Sequence, residues 1–180
     1  MSLEANKAIV RSYFEAVNSG NCDAILALTT EDFLFTTMAR APDWLQIEWG
    51  REAFSQVPPT MSQLMKAPIH LAVLDMIGEG NKITVEAETD GEMLNGRRYN
   101  NAYHFAFELA DGKLHRVREY SCSHLAQSCF GAVEPGNRKA SKMAISVRER
   151  SEGQARRNQM QSRIPSEENP AVATNYGNTE

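Results

Sequence analysis

Long apolar runs, paired cysteines, phosphate loops and histidine clusters are all missing from this chain, and each absence removes a class of function. No stretch approaches the roughly 20 apolar residues that span a bilayer, so no membrane partner is expected. The three cysteines, Cys22, Cys122 and Cys129, are odd in number and lack metal-ligand spacing. That fits a reducing, cytoplasmic setting better than a disulfide framework. His70, His104, His115 and His124 do not form the two-His-plus-acid pattern of a metal site, so no metal is expected. The glycines fall at turns and helix ends, and none builds a phosphate loop. The N-terminus has no positive-then-apolar leader pattern, because Glu4, Asn6, Lys7 and Arg11 interrupt it.

Positive charge is also scarce where it would count. Residues 133–180 carry eight of the 19 Lys and Arg and six of the 23 Asp and Glu, leaving 11 basic and 17 acidic residues in 1–132. Polyanion binding needs a basic face, so nucleic acid is not an expected partner. From about Ala132 the apolar pattern fails. The remaining polar segment cannot bury enough surface to offset its ordering entropy. We expect one domain over residues 1–131 and a disordered tail over 132–180.

The body reads as α+β. Ile9, Val10, Tyr13, Phe14 and Val17 recur at helical spacing over residues 4–19, and Gly20 ends the run. Asn21 can cap a second helix carrying Ile25, Leu26 and Leu28. A short strand follows at Phe33–Thr37. Residues 38–60 read as a loop with a short helix near 50–56, and another is expected near 60–66. Strands are expected at Ile69–Ile77, Ile83–Met93, Tyr99–Leu109 and Leu114–Ser121. Gly78 and Gly80 mark one turn and Asp111-Gly112 a hairpin. A last short helix is expected at Ser123–Phe130. Helices on one face of a mainly antiparallel sheet are the expected architecture.

Strand parity picks out candidate site residues, because side chains alternate between faces. Tyr99, Asn101, Tyr103, Phe105 and Phe107 share one side, grading from amide and phenol to phenyl. Such a side suits a pocket wall; it would equally suit a core in which Asn101 bonds a loop and Tyr103 has a satisfied hydroxyl. In VEAETDGE, Glu86, Glu88 and Asp90 oppose Val85, Ala87 and Thr89. The acidic row is either a solvated face or, if inward, a set of carboxyls whose pKa values rise by crowding and desolvation. In HRVREYSC, Glu119 lies between Val117 and Ser121, on a side with a single acid, and is open to a cross-strand ion pair or to catalysis.

The segments KAIVRSYFEAVNSGNCDAILALTTEDFLF, WGREAF and GRRYNNAYHFAFELADGKLHRVREY together resemble the SnoaL-like branch of the nuclear transport factor 2-like superfamily. The resemblance implies a cone: a curved mixed sheet around a pocket, closed by helices, often dimeric through the sheet's outer face. It implies isomerase, cyclase, dehydratase or epoxide hydrolase chemistry, or plain ligand binding. Aligned on DGKLHRVREY, the chain is similar to limonene-epoxide hydrolases, which sets Glu119 and Glu88 at the two catalytic acids and Asn101 and Tyr103 in the pocket. The linking arginine of that type would be Glu86 here, and its water-positioning groups would be Phe35 and Thr37. Cys122 stands where many SnoaL-like chains have an aspartate. Epoxide hydrolysis is therefore not carried over.

The expected function is acid–base catalysis on a small apolar carbonyl or hydroxyl compound, as an isomerase, cyclase or dehydratase without a cofactor. Glu119 and Glu88 would move protons, and Tyr103 and Asn101 would bond a developing enolate oxygen. Phe35, Thr37, Trp49, Glu86, Tyr99, Phe105, Phe107 and Ser121 would line the pocket. The alternative is a ligand-binding or dimerisation module of the same fold. The expected partners are a small-molecule substrate and a second copy of the chain.

Overall fold

The computed structural model describes residues 1–131; the expected tail and the boundary before it lie outside them. Helix α1 spans Leu3–Ser19, with Ser2 accepting from the Ala5 N–H and Gly20 closing it in the left-handed conformation. Its apolar stripe buries Val10, Tyr13, Phe14 and Val17. Helix α2 (Cys22–Leu28) starts at Asn21, whose Oδ1 accepts from the Ala24 N–H at 3.0 Å. Strand β1 (Thr29–Thr37) begins earlier than its apolar core suggests, because Thr29 already pairs with the last strand. A 3-10 turn (Asp43–Leu45), the three-residue β2 (Glu48–Gly50), α3 (Arg51–Ser55) and α4 (Val57–Ser62) follow.

The meander comprises β3 (Ala72–Glu79), β4 (Lys82–Glu88), β5 (Gly91–Glu92), β6 (Arg98–Tyr99), β7 (Ala102–Ala110) and β8 (Lys113–Ser121). Two of its expected strands are shorter. The 83–93 stretch leaves the sheet after Glu88. The 99–109 stretch divides at Asn100-Asn101, so that β6 pairs with β5 in a separate ribbon. The β3–β4 turn lies at Gly80, while Gly78 is inside β3. A Cβ at Gly78 would crowd the Ile83 side chain and approach the Lys82 carbonyl oxygen to 2.8 Å, so the close β3–β4 packing requires glycine there. Asp111 and Gly112 both take positive φ, the geometry of a tight two-residue hairpin. The chain then forms α5 (Ser123–Ala126) and a π-helical turn (Gln127–Gly131).

The main sheet has six strands in the order β2-β1-β8-β7-β4-β3, with β1 and β8 parallel and every other pair antiparallel. Its inner face packs on α1 and α3. Three cross-strand rows define that face. The first, Ile83, Phe107, Val117, Phe35 and Trp49, is nearly dry, with Ile83 and Val117 wholly buried. The second runs Val85, Phe105, Glu119 and Thr37, and the third runs Ala87, Tyr103 and Ser121. The inner face thus changes from hydrocarbon to polar toward one end of β8. No helix among the described residues is long and apolar enough to cross a membrane.

Candidate active site

Burying a carboxylate without a counter-charge is costly, which makes Glu119 the residue to explain. It sits on the inner face of β8, opposite Phe105 on β7 and beside Thr37 on β1. By surface area the residue is half-buried, held between β7 and β1. Such a residue is placed to line a hollow at the polar end of the inner face. Ser121 Oγ donates to Glu119 Oε1 at 3.1 Å, which favours the ionised form. Desolvation outweighs it and raises the carboxyl from the usual 4.5 to about 7. Among the described residues no Lys, Arg or His pairs with Glu119.

Three phenols feel the same carboxylate. Burial first, and then the Glu119 charge, raise the Tyr13 hydroxyl well above its usual value. Burial pushes Tyr99 up to about 12, although bonds from Tyr103 and Asn101 act in the opposite direction. Tyr103 is raised further, by burial and then by Tyr99 and Glu119. All three stay protonated near neutrality and so remain hydrogen-bond donors. Among the described residues no group bonds the Tyr13 hydroxyl, though Tyr13 is only 1% exposed.

The other polar residues form a chain. The Cys122 N–H donates to Asn101 Oδ1 at 3.1 Å, which fixes the amide orientation. Asn101 Nδ2 then donates to the Tyr99 hydroxyl at 3.0 Å. The Tyr99 and Tyr103 hydroxyls lie 2.8 Å apart, and either can be the donor. An oxygen that already accepts one bond has a more polarised O–H, which favours the arrangement in which Tyr99 donates on to Tyr103. That leaves the Tyr103 proton for a bound molecule. Asn101 is 1% exposed and engaged at both ends of its amide, so it orients the phenols and does not face the hollow as expected.

The two acids expected on β4 are corrected by the strand's orientation. Val85, Ala87 and Thr89 are buried, while Glu86 and Glu88 point outward and are exposed. Glu86 faces His104 and Glu88 faces Ala102 on the outer side. The small side is the packed one because Val85 fits against Phe105, and Ala87 leaves room for the ring of Tyr103. Glu88 therefore cannot pair with Glu119, and Glu86 does not line the hollow.

The expected apolar walls are mostly solid core. Phe105 and Phe107 are 1% exposed and pack edge-on against Phe14 at 5.5 and 5.9 Å. Phe35 stacks on Phe54 at 4.5 Å and on Trp49 at 5.9 Å. The Thr37 hydroxyl donates to the Leu45 carbonyl and accepts from the Ile47 N–H at 2.9 Å, so it anchors a loop. Tyr99, Tyr103, Ser121 and Glu119 do converge. The helical spacing of Tyr13 places it in the core stripe, yet a phenol at an inward position needs a polar partner and so carries a signal.

A depression lined by Met1, Asn6, Gly80, Asn81 and Asp111 lies at the hairpin-turn end of the sheet, away from Glu119. Among the described residues no cluster of three His, Cys, Asp or Glu side chains could hold a metal ion.

The family model described as SnoaL-like domain matches residues 10–117. Solved structures share the fold. An NTF2-like protein from Burkholderia xenovorans LB400 has a TM-score of 0.61 at 22% identity, covering 72% of this chain and 98% of its own. A candidate polyketide cyclase from Xanthomonas campestris pv. campestris gives 0.58 at 22% identity, covering 70% and 96%. A candidate isomerase from Bacillus subtilis gives 0.60 at 20% identity, covering 73% and 96%. Comparison with curated proteins finds no match. At such identities the likeness to the solved structures is one of fold.

Proposed function

The chain belongs to the SnoaL-like domain family, within the NTF2-like superfamily, and from that premise we propose an acid–base enzyme acting on a small apolar carbonyl compound. It would work with its own side chains, without a cofactor, as an isomerase, aldol-type cyclase or dehydratase. The observation that carries this reading is the enclosed Glu119 carboxyl among three protonated phenols. A carboxyl near 7 populates both its forms at neutral pH, as a group that takes and returns a proton must.

The chemistry needs one carboxyl. Ionised Glu119 removes a proton from the carbon beside a carbonyl, and the electron pair moves onto the oxygen. Tyr103, and Tyr13 from the opposite wall, donate hydrogen bonds to that oxygen as its charge develops. Protonated Glu119 then returns the proton to another carbon, completing an isomerisation. In a cyclisation the enolate carbon attacks a second carbonyl, and Glu119 protonates the alkoxide. Burial of the phenols strengthens each of these interactions. The fold alone does not establish such chemistry; Glu119 supports it.

A ligand-binding role is the second reading, favoured by the engagement of Asn101 and Thr37 in structural bonds. One experiment separates the two. The protein is incubated in D2O with 2-tetralone, a small apolar ketone, and deuterium entry beside the carbonyl is followed by NMR. Catalysed exchange is expected, falling about 100-fold or more in Glu119→Gln and persisting in Glu88→Gln. Exchange no faster than buffer, or equally fast in Glu119→Gln, would leave the binding role.

A further inference from the structure

Two segments leave the sheet at the polar end of the hollow and meet beyond it. Residues 38–47 depart from β1 at Thr37, which pairs with Glu119 itself. The Met38 N–H donates to the Glu119 carbonyl at 2.8 Å, and the Thr37 N–H to the Ile47 carbonyl at 3.0 Å, so both feet of this strap stand beside Glu119. The second segment, Cys122–Gly131, leaves β8 three residues beyond Glu119 and crosses to the other rim. There the Phe130 ring packs edge-on to Tyr99 at 4.9 Å, and Cys129 Sγ donates to the Arg98 carbonyl at 3.5 Å. Asn95 and Arg97 bond the Cys129 and Ser128 carbonyls and hold this arm down.

Strap and arm are tied to each other where both face solvent. Trp44, at the tip of the strap, donates its indole N–H to Gln127 Oε1 at 2.7 Å. Among the described residues this is the one hydrogen bond between them. Gln127 opens the π-helical turn, a geometry common where a helix serves a site. Trp44 is 40% exposed, so its indole N–H makes this bond at the surface.

We propose that the Trp44–Gln127 bond is a clasp closing the hollow over Glu119, and that ligands reach the carboxyl when it opens. The clasp deepens the acid–base reading, since it excludes the water that would otherwise solvate the carboxylate. Trp44 and Gln127 are positioning residues: they touch no reacting atom and act through the hydration of Glu119. The ionisable groups facing Glu119 are Tyr13 from α1, Tyr99 from β6 and Tyr103 from β7, all neutral near pH 7. A change in the Glu119 titration therefore reports on water.

The test uses the full chain with 13C-labelled glutamate. Gln127→Ala and Trp44→Phe each remove the bond at an exposed position and leave the core intact. In both, the Glu119 midpoint should fall by roughly a unit or more as water enters, and the double variant should fall no further. Amide exchange at Met38 and Ile47, the feet of the strap, should quicken by roughly tenfold. A wild-type midpoint near 4.5 would refute the acid–base reading and the clasp together, whereas a wild-type midpoint near 7 that neither variant lowers would overturn the clasp alone. Unchanged exchange at both amides in both variants would overturn the clasp.

Discussion

Replacing Glu119 by Gln should stabilise this protein, and by an amount that depends on pH. The carboxyl moves from 4.5 to about 7 on folding, chiefly through desolvation. A raised acid pKa means that the folded state holds its proton more tightly than the unfolded state. The contribution is fully present below the unfolded value of 4.5 and is lost as pH rises through about 7. Across that interval of 2.5 units, at 1.36 kcal/mol per unit, the penalty reaches about 3 kcal/mol by pH 8. Gln keeps the shape and an oxygen for the Ser121 hydroxyl but has no proton to lose. Urea unfolding of wild type and Glu119→Gln at pH 4.5 and pH 8 reads the difference directly, since every other titrating group cancels. The two should be nearly equal at pH 4.5, with the variant ahead by about 3 kcal/mol at pH 8. For a domain of this size that corresponds to a melting shift on the order of 10 °C. A difference that stays constant between the two pH values would refute the reasoning, because it would show that folding leaves the carboxyl's ionisation unchanged.

Other consequences follow from the same packing. Glu88→Gln, on the outer face, should leave urea stability within about 0.5 kcal/mol of wild type. Gly78→Ala should cost about 1–3 kcal/mol in the same assay, because the added methyl collides with Ile83 and the Lys82 carbonyl. Asn101→Ala strips the Cys122 N–H and the buried Tyr99 hydroxyl of a partner, with an expected loss of about 1–3 kcal/mol. Tyr103→Phe should keep the fold, since its hydroxyl ends the chain from Asn101, and should slow deuterium exchange into 2-tetralone by roughly 10–100-fold.

Much of the fold was legible because its signals are local. The stripe of Val10, Tyr13, Phe14 and Val17, the Asn21 cap and the Asp111-Gly112 hairpin each act within a few residues, and the structure shows all of them. Strand β2 has only three residues, and the β5–β6 ribbon two per strand, too few for periodicity to show. The candidate site was half legible. Parity puts Tyr103 with Phe105 on β7 and Glu119 with Ser121 on β8, and the register joins the two sets on one face. On β4 parity separates Glu88 from Ala87 but cannot say which side is inward. That depends on which side chains fit against Tyr103 and Phe105 on the neighbouring strand, a contact distant in sequence. Tyr13 was hidden for the opposite reason: its helical spacing explains it fully as core, and only its hydroxyl asks for more.

The account rests on Glu119 being enclosed and, among the described residues, without a cationic partner. A 13C titration of its carboxyl in the wild-type chain tests this most directly. The midpoint should lie near 7, well above the ordinary 4.5. A midpoint at the ordinary value would mean a hydrated carboxylate, and the hollow around it would have no proton to trade.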